Sequence, residues 1–132
     1  MAALPRGYVT ENMTGRASVD FSISPYRVVK VDADKNVTPM VVAVSSLESG
    51  LIGITETQVG SGQAISVALR GQPYAFVSSA CDHAALLTCS TSAGVCPASS
   101  GDLVMAQAME AGVTGQYLAV RLLEPFRLNE GP

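Results

Sequence analysis

The stretch Leu51-Ile-Gly-Ile-Thr-Glu-Thr-Gln-Val-Gly-Ser-Gly-Gln-Ala-Ile-Ser-Val-Ala-Leu69 decides the fold class. Leu51–Thr55 is a short apolar run with β-branched residues, which reads as a strand. Val59-Gly-Ser-Gly-Gln63 is a tight turn in which Gly60 and Gly62 can take positive φ. Ala64–Leu69 then alternates strictly, with Ile65, Val67 and Leu69 on one face and Ala64, Ser66 and Ala68 on the other. Strand, glycine turn and return strand make a β-hairpin.

The same grammar extends in both directions. Upstream, Phe21, Ile23 and Tyr26-Arg-Val-Val-Lys-Val31 suggest a strand region. Asp32-Ala-Asp-Lys-Asn36 is a turn in which Asp and Asn bond their own backbone. Val37, Met40 and Val41-Val-Ala-Val44 follow as another strand, with Pro39 at its start. Downstream, Tyr74–Val77 is a strand and residues 78–101 are rich in Ser, Ala and Cys, with one short helical turn expected near Asp82–Leu87. Val104–Met109 alternates weakly, Ala111–Gly115 is a turn, and Tyr117–Leu122 returns as a strand. Gly and Pro punctuate the chain every 8 to 14 residues, which favours an all-β barrel or sandwich.

Residues 1–19 are polar and aperiodic, broken by Pro5, Gly7, Asn12 and Gly15, and read as an extended N-terminal arm. The expected organisation is an arm (1–19), one β domain (20–125) and a short tail (126–132). Within the domain an internal repeat emerges. Pro25-Tyr26 recurs as Pro73-Tyr74, Gly60 pairs with Gly112, and Gly62-Gln63, Val67 and Leu69 pair with Gly115-Gln116, Val120 and Leu122. The chain therefore reads as two diverged copies, about 25–72 and 73–124.

Composition excludes several functions. The chain has 132 residues, enough for one domain with its own core. It is 48 % apolar but only 14 % charged, with no Trp and a net charge of −3. No basic run supports nucleic-acid binding, and no window of about 18 apolar residues supports a membrane span. The start, Met1-Ala-Ala-Leu-Pro-Arg6, lacks the layout of a signal peptide, so cytoplasmic synthesis is expected. A charge-poor surface is either rich in Ser, Thr and Gly or covered by a partner.

Catalytic and metal chemistry finds little support. The lone His83 lies in Cys81-Asp82-His83, with Cys89 and Cys96 downstream. These are zinc-ligand types, but no C-x-x-C knuckle is present. A Cys89–Cys96 disulfide across a small loop is an alternative to plain thiols, although three cysteines argue against a disulfide framework. Adjacent Asp82 and His83 rarely give triad geometry, and no G-x-S-x-G elbow occurs. Asp32-x-Asp34-x-Asn36 begins like a calcium loop, but Val37 and Ala43 stand where Gly and Glu are needed. No catalytic residue, cofactor or metal is expected.

Three stretches carry a family resemblance. They are Tyr26–Val37, then Gly50-Leu-Ile-Gly-Ile54 with Gly60–Gly71, and Gly101–Glu110 through Gly115–Leu123. Together they resemble the cement, or head decoration, proteins of tailed-phage capsids. The stretch from Cys81 to Pro97 is longer than that pattern and contains cysteines. The resemblance implies a compact β-barrel of β-tulip type and a homotrimer on the outer surface of the virion, where it clamps the major capsid protein. The arm and tail are the expected coat-binding elements, through Tyr8, Val9, Asn12, Met13, Arg16, Phe126 and Arg127. An exposed polar arm can add a strand to a partner sheet. The alternative reading is a β-sandwich carbohydrate- or surface-binding module; a small hydrolase is a third.

Overall fold

A computed structural model describes residues 2–3, 8–39, 51–90 and 93–127. It is all-β, with no α-helix among the described residues. Among the described residues twelve strands follow in chain order: β1 (Ala2–Ala3), β2 (Tyr8–Ala17), β3 (Val28–Val31), β4 (Asn36–Pro39), β5 (Leu51–Thr55), β6 (Thr57–Gln58), β7 (Ala64–Gln72), β8 (Tyr74–Phe76), β9 (Leu86–Cys89), β10 (Val95–Pro97), β11 (Leu103–Ala108) and β12 (Tyr117–Arg127). Strands β2-β4-β3-β5-β7 close into a barrel, β10-β9-β11-β12-β8 form a five-stranded sheet, and β1 pairs with β6.

Local chemistry explains the turns. At the β3–β4 turn the Asp32 carboxylate accepts the Asp34 and Asn36 amides, each at 2.9 Å, and Lys35 takes φ 64°. These bonds, the Asn36 amide first, hold the Asp32 carboxyl below its usual range. At the glycine turn the positive φ falls on Gly62 (83°) alone, and the Gln63 side chain accepts the Gly60 amide at 2.7 Å.

The expected arm does not exist as such over residues 8–17. β2 pairs antiparallel with β7 from Tyr8↔Gln72 to Arg16↔Ala64, and its last residues pair in parallel with β4 at Arg16↔Asn36 and Ala17↔Val37. Without β2 the barrel has no closing strand. Two further boundaries shift. The short helical turn expected at Asp82–Leu87 is a turn leading into β9. β12 runs into the expected tail, carrying Phe126 and Arg127 opposite Val104 and Leu103. Phe21 and Ile23 lie in a turn, and the strand expected over 40–44 falls outside the described residues.

The duplication is more thorough than the sequence suggests, and its phase is different. In the first unit the row Val28↔Ile54↔Ala68 crosses β3, β5 and β7; in the second, Leu86↔Gln107↔Arg121 crosses β9, β11 and β12. Val29↔Pro39 matches Leu87↔Pro97. The unusual parallel contact Ala17↔Val37 matches the parallel bridge Val77↔Val95, which closes the second sheet into a ring as well. Side-chain bonds repeat too: Ser18 Oγ donates to the Val37 carbonyl at 2.8 Å, and Ser78 Oγ to that of Val95 at 3.0 Å. The two glycine turns carry the same bonds, with Gly62 donating to Ala17 and Gly115 to Val77, both at 2.8 Å.

These pairs keep Gly62-Gln63 with Gly115-Gln116 but replace two other equivalences. Gly60 matches Val113 rather than Gly112, and the Pro-Tyr dipeptides do not correspond. Tyr26 (φ 57°) instead matches Ala84 (φ 68°). The first copy therefore starts with β2, and the copies are β2–β7 and β8–β12.

Each ring has its own interior. Ala17, Phe21, Val29, Val31, Val37, Val59, Ile65 and Val67 fill the first. The second cluster contains the equivalents Val77, Cys81, Leu87, Cys89, Val95, Leu118 and Val120. It also takes in Val28, Ile54 and Ala68, which point out of the first barrel against the second. Burying each Val, Leu or Ile contributes about 1.5–3 kcal/mol, so the junction is a core in its own right. The Arg70–Glu124 pair at 3.3 Å spans β7 and β12 at the surface, where it contributes little.

Candidate functional site

The residues expected to bind a partner lie on two strands, β2 and β12. On β2, Tyr8 opens the strand opposite Gln72. Val9 packs against the cluster of the second unit and Met13 against the interior of the first. Both are therefore committed to the core, and a strand already paired in a barrel cannot also be an extended arm. Asn12 and Arg16 are exposed on that strand. Phe126 is 40 % exposed near the end of β12, followed by Arg127.

Cys89 and Cys96, weighed as a disulfide, are free thiols, as is Cys81. Cys89 lies opposite Val95, the neighbour of Cys96 on β10. Alternation along the strand then sends Cys89 inward and Cys96 to the other face. Cys81 and Cys89 occupy the positions of Phe21 and Val31, so they serve as small core residues. Burial pushes the Cys89 thiol up to about 11 and raises that of Cys81 as well. Neither is a poised nucleophile. His83 is exposed, and no cluster of three metal-ligating side chains occurs among the described residues.

Two depressions stand out, and the repeat relates them. The first lies at the mouth of the first barrel, about 220 Å³, against Asp20, Phe21, Arg27 and Pro39. The second, about 400 Å³, lies at the same mouth of the second barrel, against Ala80, Cys81, Ala85 and Pro97. Those four pairs of residues are equivalent one by one. The Phe21 amide donates to the Val59 carbonyl at 2.8 Å, and the Cys81 amide to that of Gly112 at 3.0 Å. Hence Phe21, Val59 and Arg27 in the first mouth are Cys81, Gly112 and Ala85 in the second. All three changes remove side-chain volume. Leu118 recovers part of it: a Cβ on Gly112 would overlap its side chain. The rest stays open at the surface, rimmed by Asp82, Val113 and Gln116.

Between the mouths lies an aromatic junction. Tyr26 meets Tyr74 and Tyr117 edge-to-face, with ring centroids 5.8 and 5.2 Å apart. The Arg27 guanidinium sits 3.8 Å over the Phe76 ring. Burial raises the Tyr26 pKa and lowers that of Arg27. The Phe76 amide donates to the Tyr26 carbonyl at 3.0 Å, tying the two copies together. Only Tyr117, at 46 % exposure, presents much of its ring to solvent.

The emptied mouth was missed in the sequence because its residues are small and share no motif. The one available signal was the repeat in its correct phase, which sets Cys81 against Phe21 and Ala85 against Arg27.

No known protein family matches this chain, and no curated protein matches its sequence. Among solved structures, the N base of the head fibre gp8.5 of bacteriophage phi29 has a similar fold, with a TM-score of 0.64 and 15 % identity. The match covers 86 % of this chain and 93 % of that one, so both copies of the repeat take part in a shared architecture.

Proposed function

We propose that this chain is a structural protein of a tailed-phage head, seated on the outer surface of the capsid and bound to the major capsid protein, with no catalytic role. The observation that carries this reading is the fold shared with the phi29 head fibre base over nearly the whole of both chains. The sequence resemblance to head decoration proteins points to the same setting. So does the low charge content of 14 %, which fits a surface partly covered by partners.

With β2 inside the barrel, binding falls to rigid surfaces instead of an arm. Such surfaces avoid the ordering cost of a disordered segment. A homotrimer would present three copies at once and convert a weak contact into avidity through effective concentration. The carbohydrate-binding alternative gains nothing from the described aromatic residues, since the rings of Tyr26, Tyr74 and Tyr117 pack on one another rather than forming a flat platform.

The test is proteomics and cryo-EM of purified particles of the encoding phage. The protein is expected in intact heads at a stoichiometry set by capsid symmetry, with density outside the coat. Its absence from particles, or its presence only in tails, would overturn the proposal. Native mass spectrometry of the purified protein tests the trimer.

A further inference from the structure

We infer that the open mouth of the second barrel is a docking socket for one bulky apolar side chain, carried on a cationic segment of a partner protein. The chain itself shows what fits. In the first copy the equivalent position is closed by Phe21, which is 1 % exposed and packs among Val29, Val31, Val59 and Ile65. Arg27 covers the same mouth from the side. In the second copy the backbone and its hydrogen bonds are retained, but Phe21, Val59 and Arg27 are replaced by Cys81, Gly112 and Ala85. What remains is a depression of about 400 Å³, roomy enough for an aromatic or leucine side chain.

The electrostatics narrow the occupant. Among the described residues lining the socket, Asp82 is the one that is charged, and no Lys or Arg is among them. Glu110 follows close by on the exposed turn before Ala111. An apolar side chain flanked by Lys or Arg matches both the hole and its rim. Val113 projects at this rim with 56 % exposure, an apolar side chain that such a segment would cover. An anionic segment is disfavoured by the same carboxylates. Taken with the proposed function, the partner is a loop of the coat subunit, so this inference deepens that reading.

Two experiments separate the socket from the capsid setting. The first uses the protein alone and the dipeptide N-acetyl-Phe-Arg-amide as probe, followed by amide NMR. Saturable shifts are expected at Gly112, Val113 and Gln116, with a Kd of about 1 mM or weaker for so small a ligand. Ala85→Arg, which installs the residue found in the first copy, should abolish them. N-acetyl-Phe-Glu-amide should shift them at least several-fold less. No saturable shift at these amides with the cationic probe at about 10 mM, or equal shifts in Ala85→Arg, would overturn the socket whatever the protein binds in the cell.

The second measures co-sedimentation with heads of the encoding phage stripped of this protein. Ala85→Arg and the rim variant Val113→Lys should each lower occupancy at least tenfold while keeping the wild-type melting temperature. If the wild type binds heads and both folded variants bind equally well, the socket is wrong and the capsid reading stands. If the wild type does not bind heads, the capsid reading fails and the dipeptide experiment alone decides the socket.

Discussion

Gly15→Ala is the sharpest test of whether residues 8–17 belong to the barrel. A Cβ at Gly15 would lie 2.6 Å from Val37 Cγ2 and 2.7 Å from the Lys35 carbonyl oxygen. Neither neighbour can yield cheaply. Val37 is fully buried in the first barrel, and the Lys35 carbonyl accepts the Arg16 amide at 2.8 Å. Overpacking of this kind costs about 1–3 kcal/mol, and loosening the β2–β4 hydrogen bond adds about 1. The reduced entropy of the unfolded chain returns about 0.4–1. The net expectation is a loss of about 2 kcal/mol, or a melting temperature lower by about 6–8 °C for a domain of this size. Urea unfolding measures it directly. Asn12→Ala, exposed on the same strand, is the control and should stay within about 0.5 kcal/mol of wild type. If Gly15→Ala were equally neutral, β2 would be a detachable arm in solution and the barrel closure described above would be wrong. The same reasoning predicts that deletion of residues 1–17 unfolds the first copy, whereas an arm could be removed without loss.

Two further perturbations probe the second copy. Cys89 holds the position of Val31, so Cys89→Val should change stability by less than about 1 kcal/mol near neutral pH. The unfolded chain loses the thiol proton near its ordinary pKa of about 8.5. The folded chain keeps that proton up to about 11. Raising the pH from 8 to 10 therefore favours unfolding, by about 2 kcal/mol. Urea midpoints from pH 8 to 10 should fall more steeply in wild type than in Cys89→Val, and equal slopes would contradict a buried neutral thiol. The outward row Leu86, Gln107 and Arg121 is capped by Arg121 Nη2 donating to Gln107 Oε1 at 2.7 Å. Gln107→Ile with Arg121→Ala restores the apolar row of the first copy and should drive self-association beyond the wild-type state, seen by light scattering. An unchanged mass would show that the polar pair is not what limits association there.

Where the signals are local, the sequence reading and the structure agree. Leu51–Thr55, the Gly60–Gln63 turn, Ala64–Leu69 and the Asp32–Asn36 turn are all specified within a few residues by alternation, glycine and Asx bonding. β2 escaped notice because nothing local marks it. Its pairing with β7 is interrupted by irregularities between Val9 and Glu11 and between Glu11 and Asn12. Its outward residues are polar, and its partners lie far away in sequence. The all-β class was readable from spacing. The closure was not, because it depends on a parallel contact at Ala17↔Val37 that no periodicity announces. The repeat was visible at one hairpin and misphased elsewhere, since divergence kept the hydrogen bonds and changed the side chains. Identical dipeptides such as Pro-Tyr misled for that reason. The socket was invisible for the same cause: it consists of side chains that are absent.

The two copies also differ on their flanks in the way an inner and a capping repeat do. A repeat with one apolar flank needs a neighbour to cover it, and a terminal repeat needs a polar replacement. The first copy presents Val28, Ile54 and Ala68, all fully buried against the second. At the same three positions the second copy carries Leu86, Gln107 and Arg121, and the last two satisfy each other at the surface. Had that row stayed apolar, it would have been an exposed patch inviting a third unit or another molecule. Divergence at the mouth ran the other way: the first copy closes its mouth with Phe21 and Arg27, and the second opens it with Cys81 and Ala85. One copy thus supplies a plugged, self-contained barrel that also buries a flank. The other supplies a capped flank and a vacant mouth. Both exchanges leave the backbone frame in place, and together they make the mouth of the second half the larger of the two depressions.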